Sequence, residues 1–210
     1  MKVLLVNGSP HKEGCTYTAV CEVADTLRSE GIEADMFWIE NKAISGCLAC
    51  RACAKTSFCV LQDRVNEFLK IAGDYDGFVF GSPVHWGSAS GNMASFMDRA
   101  FYANLRGGGT RFLLKPAAAV VSARRAGTTF TVDQMNKYFN LAQMPVISSR
   151  YWNIVHGAKP EEVKQDLEGM QVMRILGRNM AYFLKCKEAA EKAGIKPPVQ
   201  EAVTHTNFIR

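Results

Sequence analysis

Short apolar runs alternate with amphipathic segments along this chain. Residues 2–6 (KVLLV) form an apolar run that ends in the turn Asn7-Gly8-Ser9-Pro10, as a strand buried in a parallel sheet does. Residues 16–29 then place Ala19, Val20, Val23, Ala24 and Leu27 at helical spacing, and Gly31 stops them. Residues 32–39 read as a second strand, Val65, Phe68, Leu69 and Ala72 mark a second helix, and residues 77–81 give a third strand closed by Ser82-Pro83. A helix over 93–102 carries Met93, Phe96, Met97 and Phe101 on one face. A fourth strand at 117–121, a helix through 135–141, a fifth strand at 145–148 and one long helix over about 161–192 complete the pattern. Residues 195–210, with Pro197-Pro198, are expected to run extended over the surface or over a neighbouring subunit.

Five strand–helix units in succession predict an α/β fold, a doubly wound five-stranded parallel sheet with helices on both faces. No linker or internal repeat divides the chain, so residues 1–194 read as one domain and 195–210 as its tail. In such sheets ligands lie beyond the carboxyl ends of the strands. The loops after Val6, Gly81, Val121 and Ser148 are therefore the ones to inspect.

Composition narrows the field. The 210 residues are 48% hydrophobic and 21% charged, which excludes a disordered, collagenous or coiled-coil chain. The net charge of +5 comes without a run of like charges, so no nucleic-acid partner is expected. The stretch from Gly77 to Met97 lacks Asp, Glu, Lys and Arg, but its Pro83, His85 and Asn92, with several serines and glycines, do not suit lipid; no membrane association is expected. The opening MKVLLVNGSP breaks into a turn where a signal peptide would continue. Seven cysteines without a leader point to a reducing compartment and a cytoplasmic protein.

The first loop, residues 8–18, offers a helix amino end with hydroxyls at Ser9, Thr16 and Thr18 around it. Free N–H groups and a partial positive charge there suit a phosphate. It is neither a G-x-G-x-x-G dinucleotide fingerprint nor a P-loop, since five residues separate the glycines and Cys15 fills the lysine position. A single phosphate remains as the ligand, with an ordinary strand-to-helix turn as the alternative. After the third strand, Ser82-Pro83-Val84-His85-Trp86-Gly87-Ser88 adds imidazole, indole and backbone amides, the surface a flat heterocycle needs.

Cys47, Cys50, Cys53 and Cys59 are spaced C-x2-C-x2-C-x5-C. Such compact runs are typical of [4Fe–4S] ligation, whereas structural zinc sites usually set two C-x2-C pairs a dozen or more residues apart. A surface loop of free thiols is the other alternative. No C-x5-R occurs, which removes a phosphatase nucleophile. Cys15, Cys21 and Cys186 have no partner at ligand spacing and read mostly as buried small hydrophobes.

With V-N-G-S-P at 6–10, G-C-T at 14–16 and G-S-P-V-H-W-G-S-A-S-G-N-M-A-S-F-M-D-R at 81–99, the chain resembles the flavodoxin-like NAD(P)H-dependent FMN reductases over most of its length. The compact cysteine motif after the second strand is similar to that of the iron–sulfur flavoprotein branch. The resemblance implies strand order 2-1-3-4-5. It implies that Ser9, Thr16, Tyr17 and Thr18 hold the FMN phosphate, with His11 at the loop edge. Pro83, Val84, His85, Trp86 and Gly87 would line the isoalloxazine, although the family often has Tyr where His85 stands. Ser122, Arg124 and Gly127 belong to the third flavin loop, where Arg124 and Arg125 could touch the flavin or a pyridine nucleotide or simply be exposed. Tyr151-Trp152-Asn153 could close the pocket or merely pack.

The activity implied is an FMN-dependent oxidoreductase carrying a [4Fe–4S] cluster on the four cysteines. It would move electrons between NAD(P)H or a ferredoxin and a small acceptor, as a homodimer or homotetramer. A cluster-free NAD(P)H:quinone or flavin reductase is the nearest rival, and a zinc-stabilised FMN-binding interaction module is a rival of another class. The flavin carries the chemistry, so no catalytic acid or base is assigned. His85 is a candidate hydrogen-bond donor to the acceptor.

Overall fold

The computed structural model describes residues 1–204, 206 and 208. The elements run β1 (Lys2–Asn7), α1 (Cys15–Ser29), β2 (Glu33–Trp38), α2 (Arg64–Ile71), β3 (Gly77–His85), β4 (Ser88–Ala89), α3 (Gly91–Arg106), β5 (Ala117–Ala123), α4 (Thr128–Leu141), β6 (Ile154–His156), α5 (Pro160–Gln165) and α6 (Leu167–Lys192). The parallel path is β2-β1-β3-β5-β6, and the two-residue β4 pairs antiparallel with the end of β3. Set β4 aside and this is the expected doubly wound sheet with order 2-1-3-4-5.

Period-two alternation divides the strands between two cores. In β1, Val3 and Leu5 face the side packed by α1 and α6, while Leu4 and Val6 face α2, α3 and α4. Ala118 and Val120 of β5 share the first side; Ala117, Ala119 and Val121 share the second. The second core is rich in phenylalanine. Phe68 lies 5.1 Å from Phe96 and 6.0 Å from Phe80, both edge-on, and Phe101 stacks on Phe112 at 4.7 Å. These rings fix where α2 and α3 lie, and so where the segment between β2 and α2 must return.

Two expectations are corrected. The fifth strand is not at 145–148, where only a single bridge joins Val146 to Ala117. It is Ile154–His156, in register with Val121–Ala123. Pro145, with no N–H to give, weakens the earlier run, and Ser148-Ser149 end it. The helix expected over 161–192 breaks at Asp166 (ψ 76°), whose carboxylate accepts from Gly169 N at 2.9 Å and from His156 N at 2.7 Å. Asp at this position caps α6 better than it continues α5. After α6, residues 195–204 form no regular structure and are exposed. The rest of the expected tail includes His205, Asn207, Ile209 and Arg210, which lie outside the described residues. Among the described residues no helix is long and apolar enough to cross a membrane.

Gly81 is where the sheet end meets α1. A Cβ there would come within 2.6 Å of Val20 Cγ2 and 2.9 Å of Thr16 Cγ2. Both neighbours are β-branched and stiff, so the helix, not a rotamer, would have to move. Gly81→Ala should therefore destabilise by about 1–3 kcal/mol. At roughly 2–4 °C per kcal/mol for a chain of this size, calorimetry checks it directly, and an unchanged melting temperature would show that the contact is soft.

Candidate functional site: a phosphate loop, a hairpin and a thiol segment

The loop after β1 is built from its own polar groups. The Asn7 carboxamide donates to Lys12 O at 2.9 Å and accepts from Ser9 N at 3.1 Å, while His11 N donates to Ser9 Oγ at 3.1 Å. Trp38, at the end of β2, donates its indole N–H to Ser9 O at 2.8 Å. The loop is fastened to the next strand by Gly8 N on Gly81 O at 2.8 Å, and to the start of α3 by Ser90 Oγ on Gly8 O at 2.9 Å. Gly14 is the N-cap of α1 and gives no side-chain cap. Among the described residues no protein acceptor meets the N–H groups of Cys15, Thr16 and Tyr17. Three adjacent donors at the positive end of a 15-residue helix fit a phosphoryl dianion.

The structure separates the residues expected to hold that phosphate. Ser9 is buried at the loop floor, its hydroxyl proton free to be donated. Thr18 Oγ1 donates back to Gly14 O at 3.2 Å, and His11 is exposed at the rim. Thr16 is buried, and its hydroxyl pairs with Ser122 Oγ at 2.8 Å, tying α1 to the end of β5. The Tyr17 side chain runs along α1 toward Cys21 one turn on, and the neighbouring thiol pushes the Tyr17 hydroxyl pKa up. Thr16 and Tyr17 therefore face the loop with backbone N–H groups rather than side chains.

The ring-side residues form a hairpin. Pro83 and Val84 are half-buried in β3, and His85 pairs with Ser88 across a two-residue turn. That turn is Trp86-Gly87, both with positive φ (49° and 87°). A Trp in the left-handed region is uncommon and stands fully exposed at the tip, the kind of strain that gathers at binding sites. Ala89 N donates to Gln134 Oε1 at 3.0 Å and holds the hairpin to α4. The loop after β5 meets it through Gly127 (φ 87°), where a Cβ would lie 2.8 Å from Val84 Cγ1 and 2.9 Å from Gly87 Cα. Ser122 is in register with Pro83, while Arg124 and Arg125 are exposed beside the hairpin. Loop, hairpin and third loop thus make one open shelf at the carboxyl end of the sheet. Its free amides and glycine-lined approach fit FMN.

Tyr151, Trp152 and Asn153 do not join that shelf. They precede β6 instead of following it, and line a groove against Val132 and Asn136 on the flank of α4. His156-Gly157 takes their place beside the loop, with Gly157 O accepting from the Cys15 thiol at 3.5 Å. Neither this pair nor Trp38 is evident in the sequence, because both follow from the true position of the edge strand and from the turn at the end of β2.

The cysteine segment runs from β2 to α2 with little regular structure. Among the described residues, four of the seven non-glycine residues with positive φ lie in it: Glu40, Ala49, Arg51 and Ser57. Ala49 falls between Cys47 and Cys50, and Arg51 between Cys50 and Cys53, so the chain reverses between successive thiols. All four cysteines line one small cavity closed by Val60, Arg99 and Tyr102. Burial pushes the Cys53 thiol up, against a backbone hydrogen bond, and the nearby Cys47, Cys59 and Cys50 thiols add to the rise. Cys47 and Cys50 are exposed.

Two buried side chains grip Cys59. Asn66 accepts from its N at 2.8 Å and donates to its O at 2.7 Å, while Arg99 Nε donates to its Sγ at 3.3 Å. At the start of α3, Asn92 accepts from Ile44 N at 3.2 Å and donates to Lys42 O at 2.9 Å. Among the described residues no three His, Cys, Asp or Glu side chains are arranged to ligate a single metal ion. A cubane binds each thiolate through a separate iron, so its ligands stand farther apart than those of one zinc. Four thiols around one cavity, two of them accepting N–H donors (Cys47 Sγ from Ala49 N at 3.4 Å), fit that donor set. Of the remaining cysteines, expected to be mostly buried, none is: Cys15 and Cys21 are half-buried and Cys186 is exposed.

Comparison with known proteins gives this geometry a lineage. The family model described as NADPH-dependent FMN reductase matches residues 1–159. An iron–sulfur flavoprotein of Methanocaldococcus jannaschii is 31% identical over 190 residues, covering 88% of this chain and 98% of the relative. One of Methanosarcina thermophila is 23% identical over 185 residues, covering 88% and 96%. Among solved structures, RosB with a bound riboflavin-phosphate intermediate aligns with a TM-score of 0.68 at 13% identity over 100% of this chain and 94% of that one. An archaeal flavodoxin aligns at 0.59 and 14% identity, covering 88% and 99%. These two share the fold. The chain belongs to the flavodoxin-like NADPH-dependent FMN reductase family, in its iron–sulfur flavoprotein branch.

Proposed function

We propose that this chain is an FMN-dependent electron-transfer oxidoreductase whose second redox group is a [4Fe–4S] cluster on Cys47, Cys50, Cys53 and Cys59. Electrons would pass between NAD(P)H or a ferredoxin and a small acceptor. The observation that carries this reading is the convergence of four thiols on one cavity in a chain that also has the flavin shelf. When bound, FMN would supply hydride and single-electron exchange, and the cluster single-electron exchange.

The residues have separable tasks. The N–H groups of Cys15, Thr16 and Tyr17, with Ser9 Oγ, would hold the phosphate. Pro83, Val84 and Gly127 would support the ring plane, and His85 and Arg124 stand at its open edge, where a donor or acceptor would arrive. Exposed Arg51, Lys55 and Lys70 around the cysteine segment suit an acidic protein carrier such as a ferredoxin. Trp86 at the hairpin tip would meet a second copy of the chain in a homodimer or homotetramer. Free thiols throughout are consistent with work in the reducing cytoplasm.

Anaerobic purification tests this reading. Stoichiometric FMN, about four iron and four sulfide per chain and a broad brown shoulder beside the flavin bands are expected. Flavin without iron would favour the cluster-free reductase, and one zinc per chain without NAD(P)H oxidation the interaction module.

Two substitutions divide the sites. Ser9→Ala should weaken FMN binding about tenfold or more, the worth of a hydrogen bond to a charged group, with unchanged circular dichroism. Equal affinity in fluorescence titration would remove Ser9 from the phosphate site. Cys53→Ala should lose the iron and the shoulder yet keep FMN, whereas Cys15→Ala should keep both; iron analysis reads the difference.

A further inference from the structure

We propose that Arg99 positions Cys59 and tunes the cluster, its Nε–H donating to a cluster thiolate and thereby raising the cluster's reduction potential. The inference rests on the reading of Cys47, Cys50, Cys53 and Cys59 as cluster ligands. Arg99 is 1% exposed, among the mostly apolar buried residues of α3. Its guanidinium meets Cys59 Sγ through Nε at 3.3 Å, Ser45 O and Asp63 Oδ2 through Nη1 at 3.2 and 2.6 Å, and Leu61 O and Asp63 Oδ1 through Nη2 at 3.1 and 3.0 Å. Every partner lies on the segment that carries the thiols or immediately follows it.

The fork explains the choice of residue. Both Nη groups face the Asp63 carboxylate, which turns Nε toward sulfur. A lysine has the charge but no second donor set by the plane of the first. Asp63 is itself fixed, since Oδ1 also accepts from Val65 N at 3.0 Å as the cap of α2. Cys59 cannot drift from this donor, because Asn66 holds its backbone on both sides. An N–H donor to a cluster sulfur draws electron density from it and favours the reduced, more negative state. Asp63 offsets the net charge of the guanidinium, so the directed hydrogen bond, rather than bulk charge, makes the difference.

A purely structural arginine would staple residues 45–63 to α3 and leave the electronics alone. The test separates the two in the full chain, purified anaerobically, supplied with FMN and reconstituted with ferrous iron and sulfide. Protein labelled with ¹⁵N-arginine should show an arginine nitrogen coupling in the electron–nuclear double resonance spectrum of its reduced cluster. Arg99→Lys should lose that coupling, retain FMN and titrate at a lower midpoint potential than wild type. Absence of the coupling in the loaded wild type overturns the inference, as does an Arg99→Lys protein with wild-type iron content and wild-type potential. Arg51 also lines the thiol cavity, so Arg51→Lys is the control. A coupling kept in that protein belongs to Arg99 even if Arg99→Lys fails to fold or load, and a coupling lost there overturns the inference. A wild type that binds FMN but takes up no iron overturns the cluster reading and this inference with it, and iron analysis tells that outcome from the others.

Discussion

A guanidinium removed from water is tolerated only when every donor finds an acceptor and its charge a counter-ion. Arg99 meets both demands, and every acceptor it uses lies in residues 45–63. That requirement shapes a segment with few other reasons to hold still. Residues 40–63 carry little regular structure and several left-handed backbones. Their order comes from side chains reaching out of α3 and α2: Asn92 at 42–44, Arg99 at 45–63 and Asn66 at 59–61. The phenylalanine core fixes those two helices, so the thiol cavity inherits its rigidity from aromatic packing on the far side of α3.

The same helix touches the flavin shelf. Ser90 caps α3 by accepting from Met93 N and donates to Gly8 O in the phosphate loop, while its own N–H meets Ser82 Oγ at the end of β3. One element therefore registers the phosphate loop at its amino end and the cysteine segment two turns later. Placing both anchors on one helix ties the spacing of the phosphate loop and the thiol segment to helix geometry. The continuous motif from Gly81 to Arg99 includes strand end, hairpin, cap and both segment anchors.

Much of this was legible in the chain. Apolar runs and helical spacing gave the parallel sheet, since buried strands and amphipathic helices differ in period. The edge strand is not legible, because β6 has only three residues and β-branched Val146 and Ile147 mark an equal run nearby. The break at Asp166 hid inside a helical pattern that continues on both sides of it. At the site, residue types pointed to the right loops but not to the direction of side chains. Thr16 turns to Ser122 and Tyr17 to Cys21, choices settled by tertiary neighbours far away in sequence or by helix phase. Arg99 closes the Gly81–Arg99 stretch with no role visible in the sequence, because its partners are 36 to 54 residues distant.

Diffraction from anaerobically grown crystals, recorded on both sides of the iron and zinc absorption edges, tests the central claim most directly. Iron anomalous density enclosed by the sulfurs of Cys47, Cys50, Cys53 and Cys59, with a flavin phosphate on the amides of residues 15–17, is the expected result. A flavin-loaded crystal with four free thiols, or with zinc at that place, would contradict it.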